Sequence, residues 1–259
     1  FGLVHGPALS TDGARVLTAS ADGTARVWDL RSGAELLRLN RHSSWVSAAS
    51  FSPDGRRILT SSFDHTTRVW DARTAEELQV LRDPGGALVT ASWAPDGRQV
   101  LTASADGTAR LWDAATGRLR HALRGHQGAL AAQLFAPDGR LAITAGADGV
   151  ARLWDAESGA ARGVLRADGA ALRGAAVSPE GALLALASAD HRVYLWALRE
   201  GRLLRVLSGH RDAVTQVRFS PDGNLYLQTF SSLLALVATT FFAAACETLG
   251  ARPKASARA

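Results

Sequence analysis

Serine, histidine and aspartate recur together along this 259-residue chain. His42, Ser62 and Asp64 form the fullest group, with partial echoes at Ser20 and Asp22, Ser104 and Asp106, His126 and Asp148, and Ser188 and Asp190. Such a trio can be a hydrolase triad, with serine as nucleophile, histidine as base and aspartate holding the imidazole. A nucleophile is needed once, however, and exposed. Here each aspartate returns at the same short distance before a tryptophan, at Trp28, Trp70, Trp112, Trp154 and Trp196, which points to a structural part repeated in register. Three of the seven histidines, His42, His126 and His210, share one repeating slot, while His5, His65, His121 and His191 fall in four different places. No metal-ligand spacing results, so neither a metal nor another cofactor is expected.

The elements that hold these residues repeat at one constant step, the interval from Trp28 to Trp70, without an insertion. Trp-Asp occurs at Trp28, Trp70, Trp112 and Trp154, with Trp196-Ala197 continuing the series. Pro-Asp-Gly begins at Pro53, Pro95, Pro137 and Pro221, is varied to Pro179-Glu180-Gly181, and is preceded by Thr11-Asp12-Gly13. Within a unit, four short apolar runs alternate with turns: Pro pre-sets φ in Ser-Pro-Asp-Gly, and an Asp-centred tight turn and an Asp-Ala-x-x-Gly-like loop follow. Four strands per unit are predicted. A four-stranded sheet of this size cannot bury both faces alone, so successive sheets must stack around an axis.

On these residues the chain resembles the WD-repeat β-propeller family, over residues 1 to about 223. The resemblance implies an all-β fold of four-stranded antiparallel blades, about 1–41, 42–83, 84–125, 126–167 and 168–209. A partial sixth blade (210–223) and a diverged apolar tail (224–259) follow. Five blades plus a fragment lack the usual means of closure, so an open arc, or a piece of a longer array, is expected. The family also implies a hydrogen-bonded tetrad, which carries over in full only to His42, Ser62, Asp64 and Trp70. Elsewhere Pro84 or Asp168 stands in the histidine slot and Gly146 in the serine slot, and those blades are expected to be looser or to recruit water.

A net charge of +5 and 20% charged residues suit a soluble globular chain. The single cysteine, Cys246, excludes an internal disulfide and a thiolate metal cage. Lys254 is the sole lysine and there is no methionine, a bias read as GC-rich bacterial codon usage in an excised or processed piece; no secretory signal stands at the N-terminus, and a cytoplasmic location is expected. Arg26, Arg68, Arg110 and Arg152 lie just before their tryptophans, one per unit, instead of along one stripe, so nucleic-acid binding is disfavoured. Their stems are expected to cover sheet surface and their guanidinium groups to stay wet.

Because the units align without gaps, departures from the repeat stand out. Trp45 replaces the alanines Ala87, Ala129, Ala171 and Ala213; Phe63 replaces Ala21, Ala105, Ala147 and Ala189; His65 and His191 replace a turn glycine. In the resembled family these loops share one face, so Trp45, Phe63 and His65 would form one aromatic patch for a protein partner. The competing reading folds Trp45 inward over the channel. Arg124, Gln127, Arg166, Arg173 and Arg211, with Asp212, would supply a mostly basic rim suited to an acidic partner.

The stretch from Leu225 to Cys246 carries no charge at all, and Arg252, Lys254 and Arg258 follow it. A reading-frame change or truncation scar is favoured over a strand and helix packed on the last blade (Leu225–Phe230 a poor strand, Leu233–Cys246 helical or ill-ordered, 251–259 disordered). A membrane helix ranks last, because leaving at this point would strand a sheet edge. The function expected is a non-enzymatic platform for protein partners, with no small-molecule substrate. The alternative is the regulatory propeller of a larger bacterial signalling protein, a Ser/Thr kinase or nucleotide-hydrolysing switch whose catalytic part lies outside this chain. A propeller enzyme would need convergent acids at the channel mouth, for which only Asp83, Asp168 and Asp212 are candidates.

Overall fold

Polar caps at the turns and apolar residues between them divide each unit into four strands in a computed structural model of the chain, which describes residues 4–229. The first sheet holds β1 (Val4–Leu9), β2 (Arg15–Ser20), β3 (Ala25–Asp29) and β4 (Glu35–Leu39). The second holds β5 (Val46–Phe51), β6 (Arg57–Ser62), β7 (Thr66–Asp71) and β8 (Glu77–Arg82). The third holds β9 (Leu88–Trp93), β10 (Gln99–Ser104), β11 (Ala109–Asp113) and β12 (Leu119–Leu123). The fourth holds β13 (Leu130–Phe135), β14 (Leu141–Gly146), β15 (Val150–Asp155) and β16 (Ala161–Arg166). The fifth holds β17 (Leu172–Val177), β18 (Leu183–Ser188), β19 (Val193–Ala197) and β20 (Arg202–Leu207), and β21 (Val214–Phe219) pairs with β22 (Leu225–Thr229). All neighbours are antiparallel, and no helix occurs among the described residues.

The turns follow from their side chains. Asp54 Oδ1 accepts from Ser52 Oγ at 2.6 Å and from Arg56 N at 3.1 Å, closing the β5–β6 hairpin. Asp71 of the Trp-Asp pair accepts from Arg73 N and Thr74 N at 2.9 and 2.8 Å, shaping the β7–β8 loop.

The first strands of successive sheets pack on one another, and second strands join them, whereas the fourth strands splay apart. Five separate cores lie between adjacent sheets. Leu17, Ala19, Val27 and Leu39 of the first sheet meet Val46, Ile58, Trp70 and Ala72 of the second. Trp112, Trp154 and Trp196 likewise enter the core shared with the preceding sheet. This is a β-propeller of five four-stranded blades and a partial sixth. Among the described residues the packing between successive blades is not repeated between the first and the last.

The sixth blade departs from the repeat by one residue. Ser52 N donates to Arg57 O, but Ser220 N donates to Asn224 O, one position closer. Phe219 therefore faces Leu225 where the repeat would place Tyr226. A slip of one residue exchanges the two faces of a strand. It puts Leu225 and Leu227 against the fifth blade and leaves Tyr226 outside. Leu225–Thr229, expected to be a poor strand, pairs along its length with β21, which extends the sixth blade past residue 223. The tail assignments for Phe230, Leu233–Cys246 and 251–259, and Cys246 itself, lie outside the described residues. Among the described residues no helix is long and apolar enough to cross a membrane.

Candidate partner-binding face

In a four-stranded antiparallel sheet, the loop after the second strand and the loop leading into the next first strand emerge at the same end. Trp45 ends the loop into β5 and Phe63 starts the β6–β7 turn, so the two meet. Phe63 N donates to Trp45 O at 3.0 Å, and the rings stack at 6.0 Å with 23° between their planes. Trp45 keeps 50% of its surface exposed and Phe63 41%. Trp45 is thus half-exposed and stacked on Phe63, not buried. His65 is exposed beside them with φ +67°, a left-handed conformation that Gly23, Gly107 and Gly149 adopt at equivalent positions and that strains a residue bearing a Cβ. His191 repeats the exception at φ +71°.

Arg124, Gln127, Arg166, Arg173 and Arg211 are exposed at this same end of the third to sixth blades. Among the described residues none of the four arginines forms an ion pair, so their guanidinium groups remain available.

Beneath the aromatic pair lies a network that fixes both loops. Trp70 Nε1 donates to Thr60 Oγ1 at 2.9 Å, and Thr60 Oγ1 lies 2.8 Å from His42 Nε2. His42 Nδ1 lies 2.8 Å from Asp64 Oδ2, which also accepts from Ser43 N at 3.1 Å. A neutral imidazole with its proton on Nδ1, toward Asp64, and Nε2 accepting from the Thr60 hydroxyl satisfies every member of this network. Burial lowers the basicity of His42 to match. Burial alone would raise the Asp64 carboxyl, but the hydrogen bonds from Thr66 and His42 outweigh it and hold it at about 2.

The hydroxyl joining His42 to Trp70 is therefore Thr60, not Ser62. Ser62 caps the turn instead, donating to Ser44 O and accepting from Asp64 N. Both face the same way on β6, but only Thr60 is level with the indole. The signal was present in the sequence, since Thr18, Thr60, Thr102 and Thr144 recur at the same step as the tryptophans. Consequently Gly146 does not interrupt the fourth blade: His126 contacts Asp148 at 3.0 Å and Thr144 at 2.8 Å, and Trp154 donates to Thr144 at 2.9 Å. Two networks are complete.

The remaining blades substitute other chemistry. Arg110, expected to be wet, is buried and donates to Asp83 at 2.7 Å and Asp106 at 3.0 Å, replacing the missing histidine of the third blade. Burial pushes the Asp83 carboxyl up, against the pull of Gly85 N–H and Arg110. Arg26 pairs with Asp22 and Glu35, Arg68 with Glu77, and Arg152 with the carbonyl of Gly125, so these guanidinium groups are also engaged. In the fifth blade Leu186 replaces the threonine, and the buried Trp196 Nε1 has no partner. Tyr194 takes the arginine position there, its hydroxyl 2.5 Å from Asp190 and 3.3 Å from Asp168.

No catalytic constellation emerges among these groups. His42 is buried in a saturated network, Asp83 is committed to Arg110, Asp168 to Arg192 and Tyr194, and Asp212 stands in the separate loop before β21. Among the described residues no three metal-ligating side chains converge.

A search of curated proteins found no match to the chain. The sequence model for "WD domain, G-beta repeat" matches residues 3–29, 33–71, 75–113, 117–155 and 201–240, passing over most of the fifth blade, where Leu186, Tyr194 and Ala197 break the pattern yet the sheet still forms. With most of its length matched and every matched Trp-Asp strand lying in a radial four-stranded sheet, this chain belongs to the WD40 repeat family.

Proposed function

We propose that this propeller is a non-enzymatic platform that binds an acidic protein segment across the end carrying Trp45, Phe63 and His65. The observation that supports it is the half-exposed Trp45–Phe63 stack, held by a backbone hydrogen bond above a saturated network. Such rings offer large contact area with few rotamers left to freeze, as an interface anchor requires. WD40 repeats generally mediate protein–protein contacts, and the four unpaired arginines at the same end of the third to sixth blades favour carboxylates through charge-assisted hydrogen bonds.

The test is a peptide array of acidic and charge-swapped segments probed with the intact chain and with Trp45→Ala. Acidic segments retained by the wild type and lost in the variant, with unchanged thermal unfolding, are expected. Equal retention by both proteins, or preference for basic segments, would refute the reading.

A further inference from the structure

A cavity of about 480 Å³ opens between the third and fourth blades, at the end opposite Trp45. Its walls include Asp96, Gln99, Asp138, Gly139, Asp155 and Glu157. The repeat shows what fills this place elsewhere. Arg15 of the first blade lies over the Phe51 ring at 5.2 Å and donates to Ala72 O at 3.0 Å. Arg57 of the second lies over the Trp93 ring at 4.8 Å and donates to Gly97 O at 2.7 Å. One repeat on, the corresponding residues are Gln99, Phe135 and Gly139. The shorter Gln99 places its amide nitrogen 3.1 Å from Ala156 O, the counterpart of Ala72 O, and its oxygen 3.0 Å from Arg120 Nη1. Gly139 therefore faces Pro95 alone, where Gly97 faces both Pro53 and Arg57.

Two carboxylates around the gap keep bonding capacity. Asp54, at the same turn of the second blade, is held by Ser52 Oγ, but Ala94 and Ala136 stand in the serine's place before Asp96 and Asp138. Each of these two accepts a backbone N–H, from Arg98 and Arg140, at 2.9 Å, and among the described residues neither forms an ion pair. Glu157 is itself a departure, replacing Arg31, Arg73, Ala115 and Arg199 of the other blades. It and Asp155 are met from the outer strands, by Arg120 and Arg162, and the lining sets Arg140 alone against the four acids. We infer that this cavity is a binding site for the guanidinium group of an arginine side chain on a partner protein, which takes the place that Arg57 holds one blade earlier. A planar guanidinium can divide its donors between Gly139 O and the Asp96 and Asp138 carboxylates, whereas the compact lysine ammonium has neither the fork nor a stacking face. A divalent cation is a poorer match, since among the described residues no three acidic groups converge. The site stands apart from the Trp45 end and does not depend on what binds there.

Calorimetric titration of the intact chain with N-acetyl-arginine methylamide tests it. A dissociation constant of about 1 mM or tighter is expected, with the lysine and citrulline counterparts at least about 10-fold weaker. Free arginine should also bind about 10-fold more weakly, because its own carboxylate would lie beside Asp96 and Asp138. Gln99→Arg supplies the guanidinium from within, as Arg57 does, and should abolish binding while raising the melting temperature. Should that variant fail to fold, Asp138→Asn keeps the turn's acceptor and should weaken binding about 10-fold. Asp54→Asn, at the same turn of the second blade, should leave binding unchanged. No binding, equal binding of the lysine compound, tighter binding of free arginine, or a constant unmoved by both Gln99→Arg and Asp138→Asn overturns the inference.

Discussion

Replacing Thr60 with valine keeps the volume of the side chain and removes its hydroxyl. Two buried groups lose their partner at once: the Trp70 indole N–H at 2.9 Å and His42 Nε2 at 2.8 Å. Each orphaned buried polar group costs about 1–3 kcal/mol, so Thr60→Val should destabilise the second blade by about 2–6 kcal/mol. Ser62→Ala, further along the same strand, removes a cap donating to Ser44 O at 3.2 Å, and should cost about 1 kcal/mol. Urea unfolding followed by circular dichroism gives both values against the wild type. Thr144→Val is the second instance, because Thr144 serves His126 and Trp154 in the same way. If Ser62→Ala costs as much as Thr60→Val, the hydroxyl relay is misassigned and the networks do not set blade stability.

Four further outcomes are expected. In denaturant unfolding, Trp70→Ala should cost about 3–5 kcal/mol through its cavity and lost hydrogen bond, while Trp45→Ala should cost under about 1 kcal/mol. Arg110→Met leaves Asp83 buried beside no cation and should cost about 3–5 kcal/mol, part of which Asp83→Asn on the same background should restore in the same assay. His65→Gly relieves the strain of φ +67° and should stabilise by about 1 kcal/mol, read as a raised melting temperature, while weakening retention of acidic segments. As pH falls below the ordinary histidine range, the unfolded chain takes up protons that buried His42 and His126 resist, so stability should decline; it should fall again below the usual aspartate range as Asp64 is protonated near 2. The double variant His42→Gln, His126→Gln should flatten the first decline in pH-dependent melting.

Sequence alone determined the strands, their turns and the stacking, because these depend on local chemistry repeated at a constant step: alternating apolar positions, aspartates that cap turns, and an indole at one fixed place in every unit. It also marked Trp45, Phe63 and His65 as departures, since the repeat is its own reference. Only the tertiary structure decided between Thr60 and Ser62, which share a strand face and recur at the same step; the choice is made by the height of the indole on the adjacent strand. It likewise decided that Arg110 is buried, because its partner Asp83 comes from a distant loop, and that Leu225 instead of Tyr226 faces the fifth blade, because a hairpin closed one residue early. Turn and strand patterns are fixed by neighbours in the chain, whereas the partner of a buried polar group is fixed by which strand lies across from it.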